Sequence, residues 1–332
     1  MNYTQENNMA GIMHFKFYTT LRFMHVTGDN FDDFVLLPGV TLIRDREKIR
    51  KILNKEIKSF TGIIEYEHLY NANHIIYADL QDDFFSPSTS SGDAVMSWLL
   101  WIDMLVSTSW LIKDNGMLCE IAYCNKTDRK TFSEWSNNSL LSLFTLAGGN
   151  RHTDIEFSRD DLIKWEDTNH KIQTHLYENN STVFNSFVDS KYSRYGRAFS
   201  FIKSAKREFD PAMKISHYCS ALESLFSTDN SELSHKLSER VSIFLKPYSY
   251  DPIKTFDDIK SFYNIRSKVT HGDSLKSDRV GKLPEESIKL DNYLRVIMNI
   301  ILDSDELMII FNGNKDSFEK YFKEKLLLGV QV

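Results

Sequence analysis

The chain has 332 residues, which is enough for two domains that each bury a core of their own. Its hydrophobic content of 42% is ordinary for a globular protein and its aromatic content of 13% is high, which argues against disorder, collagen-like repeats and low complexity. The net charge of −6 does not by itself favour a nucleic-acid partner.

The cysteines bear on the compartment and on metal binding. There are three, Cys119, Cys124 and Cys219, and no two of them form a C-x-x-C pair. We therefore expect neither a disulfide framework nor a zinc site, and we predict a reducing, cytoplasmic environment with no metal and no cofactor. The first residues lack the basic and apolar parts of a signal peptide. The most apolar stretch, residues 94–112, holds Asp103 at its centre, so it predicts a buried helix and no membrane span.

The first 180 residues are predicted to form a mixed α/β domain. Runs rich in aromatic and β-branched residues predict strands at residues 14–26, 34–43, 62–70, 74–80 and 117–124. Apolar residues that recur every three or four positions predict helices at residues 44–57, 94–112 and 159–178. The Asn-rich sequence ENNS, residues 178–181, is the best candidate for the domain boundary.

The second half is predicted to be almost entirely helical. Apolar spacing predicts helices at residues 182–209, 211–226 and 256–270, a further one from Asp229 with a capping box in D-N-S-E, and one from Pro284. Short connections between such helices are typical of an up-and-down bundle, which we assign to residues 181–310. Residues 311–332 are predicted to be a helical extension. The predicted fold class is therefore α+β, with an N-terminal α/β domain followed by an all-α bundle.

The basic residues are concentrated in this second half. Residues 181–282 carry 17 lysines and arginines against 12 aspartates and glutamates, whereas residues 1–180 carry 17 against 25. A local surplus of this kind permits RNA binding. The predicted helix 182–209 suits contact with a phosphate backbone, and a solvated helix face explains its charges equally well. The candidate RNA contacts are Arg194, Arg197, Lys203, Lys206, Arg207 and, beside the motif described next, Lys268.

The sequence YNIRSKVTHG, residues 263–272, carries the most informative pattern. Arg266 is followed after four residues by His271, at the predicted end of a helix and directly before Gly272. If the helix unwinds at Thr270, His271 is free to turn back towards Arg266. A histidine can move a proton to or from a ribose oxygen, and an arginine can hold a phosphate and stabilise its charge. A helix C-terminus attracts positive charge, so the position suits an acid better than a base.

The Arg266-to-His271 spacing, Gly272 and the upstream run ALESLF, residues 221–226, resemble the Apea-like branch of the HEPN domains. The run GRAFSFIKSAKREFDPAMKI is similar to that branch as well, and the resemblance covers residues 182–305. It implies a helical bundle that dimerises, so that two Arg-x-x-x-x-His motifs build one cleft. It also implies RNA cleavage without a metal, leaving a 2′,3′-cyclic phosphate. Arg266 and His271 are then catalytic, with Ser267, Glu223 and Gly272 in supporting roles.

The sequence leads us to expect a homodimeric endoribonuclease that acts in antiphage defence, abortive infection or a toxin-type system. We expect a regulatory protein or a phage-derived trigger to act through its N-terminal domain. This expectation rests on family analogy. The alternative is a catalytically inactive HEPN module for dimerisation or partner binding, in which Arg266 caps helix carbonyls and His271 ends the helix. A third reading places the chemistry in the first domain, where we find no motif to support it.

Overall fold

The computed structural model describes residues 12–28, 33–81, 83–140, 143–150, 153–182, 185–229 and 232–329. These residues fall into two compact units. The first lies within Met1–Val106, Met117–Ser142 and Asp154–Glu166, and the second within Ser107–Gly116, Leu143–Thr153 and Asp167–Val332. This division does not follow a single break after residue 180. The predicted α+β class is confirmed, with an antiparallel sheet in the first unit and an all-helical C-terminal region in the second.

The first unit is built on a six-stranded sheet whose neighbouring strands all run antiparallel. The strands in chain order are β1 (His14–Thr19), β2 (Met24–Val26), β3 (Asp33–Leu37), β4 (Val40–Ile43), β5 (Ile75–Leu80), β6 (Ala122–Thr127), β7 (Ser133–Asn138) and β8 (Ile155–Phe157). The order across the sheet is β3-β4-β5-β1-β6-β7, and β2 pairs with β8 in a separate parallel ladder. The predicted strands at residues 14–26, 34–43 and 74–80 are confirmed, and the strand predicted at 117–124 begins only at Ala122.

Three short helices pack against this sheet: α1 (Arg46–Ile52), α2 (Lys55–Thr61) and α3 (Ile63–Asn71). The predicted single helix at residues 44–57 is two helices, because the Asn54 side chain caps the backbone N–H groups of a new one. The strand predicted at residues 62–70 is wrong. That segment is α3, which buries Tyr66 and Leu69 three positions apart and leaves Ile63 and Ile64 exposed.

Two longer helices follow, and both were predicted. The Trp-rich stretch forms α4 (Ser91–Ser109), and the charged stretch forms α5 (Arg159–Glu178) at its predicted bounds. Each of them contributes residues to both units. In the part of the chain that the structure describes, no helix combines the length and the apolar character needed to cross a membrane.

The C-terminal region contains the remaining helices. They are α6 (Arg194–Arg207), α7 (Pro211–Phe226), α8 (Leu233–Leu245), α9 (Pro252–His271), α10 (Ser277–Val280), α11 (Leu283–Leu302), α12 (Asp305–Asn312) and α13 (Lys315–Leu327). Helix α7 is central, because it packs against α6, α8, α9 and α11. It starts as predicted, with the Asp210 carboxylate accepting from two backbone N–H groups and Pro211 in the first turn. Its buried face includes Tyr218, Leu222 and Leu225.

Two helix starts differ from prediction. The helix predicted from residue 182 begins only at Arg194, because the Ser193 hydroxyl accepts from the Gly196 N–H at 2.9 Å and caps it there. Phe187, which the helical spacing placed inward, lies outside the helix and is partly exposed, and residues 183–184 lie outside the described residues. Helix α8 begins at Leu233 without a side-chain cap, and residues 230–231 of the predicted capping box are not described.

The last two helices close the core of the second unit. Phe311, Phe318 and Phe322 are buried. The ring of Phe311 meets those of Phe226, Phe244 and Phe318, and the ring of Phe322 meets that of Phe226, in edge-on contacts with centroids 5.4–5.9 Å apart. Such contacts add to the free energy that burial of the rings supplies. The boundary predicted at residue 310 falls inside α12, so residues 311–327 belong to the packed helices of this unit.

Candidate active site

Helix α9 carries both residues of the Arg-x-x-x-x-His pattern, and it is capped at both ends. The Asp251 carboxylate accepts from two N–H groups of the first turn, at 2.9 and 3.1 Å, and Pro252 occupies the first helical position. Gly272 ends the helix with φ of +73°, a left-handed conformation that a glycine adopts without strain. His271 is the last helical residue, so the helix is regular through the whole motif.

The helix does not unwind at Thr270, so the condition under which His271 could turn back towards Arg266 is not met. The Thr270 hydroxyl donates to the Arg266 carbonyl at 2.9 Å, one turn earlier on the same helix. Five positions on an unbroken helix place two side chains roughly 140° apart around the axis and about 7.5 Å apart along it. The fold of one chain therefore does not bring the guanidinium and the imidazole together.

Arg266 faces the neighbouring helix α7 instead. Its Nη2 lies 3.4 Å from Oε1 of Glu223, and its guanidinium carbon lies 5.4 Å from the ring centre of Tyr263. The side chains of Arg266 and Glu223 are 26% and 20% exposed, so the ion pair is partly buried. The sequence-based expectation that Glu223 lies beside Arg266 and can orient it agrees with this placement.

The partners of Glu223 do not fully compensate the cost of burying its negative charge. Burial raises the pKa of Glu223, and the Arg266 charge and a hydrogen bond from the Tyr263 hydroxyl only partly oppose the rise. Burial, followed by the negative charge of Glu223, raises the pKa of Tyr263 in turn. Glu223 Oε1 accepts no hydrogen bond from the described residues, since its 3.4 Å contact with Arg266 is an ion pair without hydrogen-bond geometry. Glu223 therefore orients Arg266 without using up its donors.

Arg266 and Glu223 open onto a depression of about 660 Å³, which we call the arginine groove. Helix α6 supplies Arg194 and Arg197 to the same groove. Its floor comes from α7, on which polar residues follow one face at intervals of three and four. The α7 residues that line it are Ser220, Glu223, Ser224 and, just past the helix, Ser227.

The two arginines of α6 are anchored by backbone oxygens. Arg194 donates to the Ser227 carbonyl at 2.6 Å, and its guanidinium carbon lies 4.7 Å from the ring centre of Phe318. Arg197 donates to the Tyr192 carbonyl. Burial is the first cause that lowers the pKa of Arg194, and it lowers the pKa of Arg197 as well. Both remain charged at neutral pH, since an arginine cannot lose its proton in a protein under ordinary conditions.

The other basic residues of α6 do not line the groove. Lys206 is buried and its ammonium pairs with Asp114, so it does not reach solvent as the predicted RNA contact requires. Lys203 is half-buried, and Arg207 is exposed with its guanidinium over the ring of Phe144. Of the five basic residues predicted on this helix, two therefore share a groove with Arg266.

The remaining residues of the motif face elsewhere. Ser267 and Lys268 line a second polar groove of about 740 Å³, together with Lys260 and Lys276. His271 is exposed, and no hydrogen bond, ion pair or ring contact ties its imidazole to the described part of the chain. An exposed imidazole without a partner can exchange protons with a bound molecule.

The serines on α7 were missed by the sequence analysis. Their signal is a polar stripe at intervals of three and four on a helix whose other faces are buried: Ser216, Ser220, Glu223, Ser224 and Ser227. The hydroxyls of Ser220 and Ser224 donate to carbonyls four residues back, at 3.2 and 2.9 Å, which satisfies them within the helix.

A second charged cluster lies inside the unit and was also missed. Asp291 is fully buried and accepts hydrogen bonds from Trp110 Nε1 and from the Tyr218 hydroxyl, both at 2.7 Å, and Arg295 lies 3.0 Å away. Lys214 is also fully buried, and burial lowers its pKa to about 7. Because these groups do not reach solvent, the cluster is internal to the core.

The arginine groove offers guanidinium donors and positive charge, which suit an anion. Across the described ranges, no group of three or more histidine, cysteine, aspartate or glutamate side chains lies close enough together to hold a metal ion. Comparison of the chain with protein families, with curated proteins and with solved structures found no match.

Proposed function

We propose that this protein is a metal-independent endoribonuclease of the HEPN type, with Arg266 and His271 as its catalytic residues. The observation that carries the proposal is the pairing of Arg266 with Glu223 at the open arginine groove, on the helix that ends at His271. Arg266 is oriented and keeps free donors, and His271 has no partner in the described chain. These are the states that a phosphate clamp and a proton-transfer group require.

The reaction is an internal phosphoryl transfer within the RNA strand. The ribose 2′-oxygen attacks the adjacent phosphorus, the new 2′-O–P bond forms, and the P–O5′ bond breaks. The 2′-hydroxyl passes its proton to a water molecule and the departing 5′-oxygen receives one from the protein, so the products are a 2′,3′-cyclic phosphate and a 5′-hydroxyl. In this scheme protonated His271 delivers the proton to the 5′-oxygen, and Arg266 stabilises the negative charge that builds on the phosphate.

A homodimer is part of the proposal, because Arg266 and His271 of one chain point to different sides of α9. A second copy that packs against this helix would bring its own His271 to the Arg266 side. Two motifs would then form one cleft, as the resemblance to HEPN domains implies. The exposed position of His271 supports this arrangement, since its imidazole is free to reach across an interface.

The biological setting belongs to the proposal as well. An RNA-cleaving module beside a separate sheet-containing unit fits a defence or toxin-type effector whose activity is restrained until a trigger arrives. We assign the sensing of a regulatory protein or a phage-derived trigger to the first unit.

The test compares RNA cleavage by the wild-type protein with that of Arg266→Ala and His271→Ala, all purified in the same way and assayed with a chelator present. Each substitution is expected to lower the cleavage rate by about 100-fold or more, as is typical for loss of a proton-transfer or charge-stabilising group. The chemistry of the product ends is tested with a phosphatase. A 2′,3′-cyclic phosphate resists the phosphatase until acid has opened the ring, whereas an open phosphate is removed at once. The matched control is His170→Ala, which removes an exposed histidine on α5 that has no contact within the described residues.

A folded, dimeric wild-type protein that cuts no RNA would contradict the proposal. Equal cleavage by wild type and both variants would contradict it too, because the activity would then come from elsewhere. If Arg266→Ala and His271→Ala instead weaken dimerisation without any cleavage to lose, the inactive binding module takes its place.

A further inference from the structure

Three arginines line the arginine groove, together with the carboxylates of Glu223 and Asp229. Arg194 and Arg197 lie one turn apart on α6, and the positive charges of Arg197 and Arg240 both act on Arg194. Bringing guanidinium groups together at half-buried positions costs free energy, because each has lost part of its water. An anion that binds between them recovers that cost.

The carboxylates near the groove have other partners. Glu319 accepts from Arg240 at 2.6 Å, Asp229 pairs with Lys236 at 3.0 Å, and Glu223 faces Arg266. Arg194 and Arg197 each donate to a backbone carbonyl, and neither forms an ion pair with a carboxylate among the described residues. A guanidinium has five N–H donors in a fixed fork, so each arginine keeps donors for a ligand.

We propose that Arg194 and Arg197 bind a phosphodiester of the RNA strand next to the one held by Arg266. The groove would then bind two consecutive backbone phosphates. This inference rests on the proposed function, because Arg266 defines the scissile phosphate. A guanidinium fork matches two phosphate oxygens, which makes arginine well suited to this contact. The floor of the groove carries Ser220, Ser224 and Ser227 beside Glu223, and the groove is open, so a strand can pass along it.

The groove has room for more than a single phosphate. Its volume of about 660 Å³ is in the range of sites for drug-sized or nucleotide-sized ligands, far larger than one phosphate needs. The three arginines that line it come from two helices, α6 and α9. The ligand that we propose for the groove is therefore an oligonucleotide with at least two linked phosphates.

The experiment measures binding of a fluorescent 12-nucleotide RNA with 2′-O-methyl groups at every position, which removes the attacking hydroxyl and prevents cleavage. Anisotropy is followed across a range of salt concentrations for wild type, Arg197→Gln and Arg197→Lys. Loss of one charged phosphate contact is expected to weaken binding roughly tenfold. It is also expected to lower the slope of log affinity against log salt by about 0.7. Arg197→Lys should keep the slope, because it keeps the charge.

The matched control is Lys51→Gln, which removes an exposed lysine of α1 that is not among the candidate RNA contacts and should leave affinity and slope unchanged. Melting temperatures check that all variants fold. Wild-type affinity and slope for a folded Arg197→Gln would overturn the inference. The inference would also be overturned if Arg197→Gln weakened the binding of inorganic tripolyphosphate but not the binding of RNA. The groove would then be a site for free polyphosphate.

The binding assay does not depend on cleavage. Normal Arg197-dependent binding by a protein that cuts no RNA would contradict the proposed function and leave the second phosphate site standing. If Arg197→Gln still cleaves RNA and binds it with unchanged affinity, the second phosphate site is contradicted and the proposed function stands.

Discussion

At the scale of residues, Glu223 orients the guanidinium of Arg266 towards the groove. A carboxylate that formed a short, bidentate pair would occupy the guanidinium and compete with a phosphate. The observed separation of 3.4 Å and the raised pKa of Glu223 indicate a weaker hold, in which burial outweighs the attraction of Arg266. The arginine is therefore oriented by Glu223 and Tyr263 and remains available to a phosphate that approaches from the groove.

Glu223→Gln is expected to change how stability depends on pH. Because the folded-state pKa of Glu223 is raised, the folded protein holds this proton more tightly than the unfolded chain does. The contribution of Glu223 to stability is thus fully present below the unfolded pKa of about 4.3 and is lost as pH rises through the folded-state value. Wild type should therefore lose stability relative to Glu223→Gln as the pH rises above about 4.5. Urea unfolding at several pH values measures this difference.

The control for that comparison is Glu324→Gln, which neutralises an exposed carboxylate on α13. Its difference from wild type should stay nearly constant over the same pH range, because an exposed ion pair contributes little. A wild-type advantage over Glu223→Gln that grows with pH would show that Arg266 lowers the pKa of Glu223, contrary to the balance inferred from the structure.

At the scale of elements, the sequence predicted helices well where apolar spacing and capping agree. Helix α7 starts at Pro211 behind Asp210, and α9 ends at Gly272, because these residues fix the ends whatever the helix packs against. Residues 62–70 look like a strand because of Ile63 and Ile64, yet both are exposed on α3. Local propensity is weak, and tertiary packing of Tyr66 and Leu69 overrides it.

The sequence predicted the residues of the candidate site but not the packing that brings them together. The sequence identified Arg266, His271 and their neighbour Glu223, and it placed Arg194 and Arg197 on a common helix. It did not show that α6, α7 and α9 pack so that Arg194, Arg197 and Arg266 share a groove, because that depends on contacts between distant segments. It also did not show that the helix stays regular through Thr270, which moves His271 away from Arg266.

Gly272→Ala tests the end of α9. The backbone there has φ of +73°, which costs an alanine about 1–2 kcal/mol, and no atom lies within 4 Å of the added methyl group. The expected loss of unfolding free energy is therefore about 1–2 kcal/mol and purely conformational. Gly272→Asn should lose less, because asparagine tolerates this conformation. Both are measured by urea unfolding, and an alanine variant as stable as wild type would show that the helix does not end in a left-handed residue.

At the scale of the whole molecule, the C-terminal helices connect folding to the groove. Phe318 of α13 lies under the guanidinium of Arg194, and Glu319 of the same helix holds Arg240. Phe311 of α12 joins the rings of Phe226 and Phe244 in the core. One wall of the groove therefore depends on helices that come last in the chain and were expected to be an extension.

Phe311→Ala is the sharpest test of that dependence. The ring is fully buried among aromatic neighbours, so its removal leaves a cavity and is expected to cost about 3–5 kcal/mol of unfolding free energy. Leu327→Ala is the control, because that side chain is 69% exposed at the end of α13 and should change stability by less than about 0.5 kcal/mol. Urea unfolding gives both values. Where Phe311→Ala remains folded, loosening of α13 should also weaken RNA binding at Arg194. A variant that loses neither stability nor binding would mean that residues 311–327 are a separate extension, as the sequence predicted.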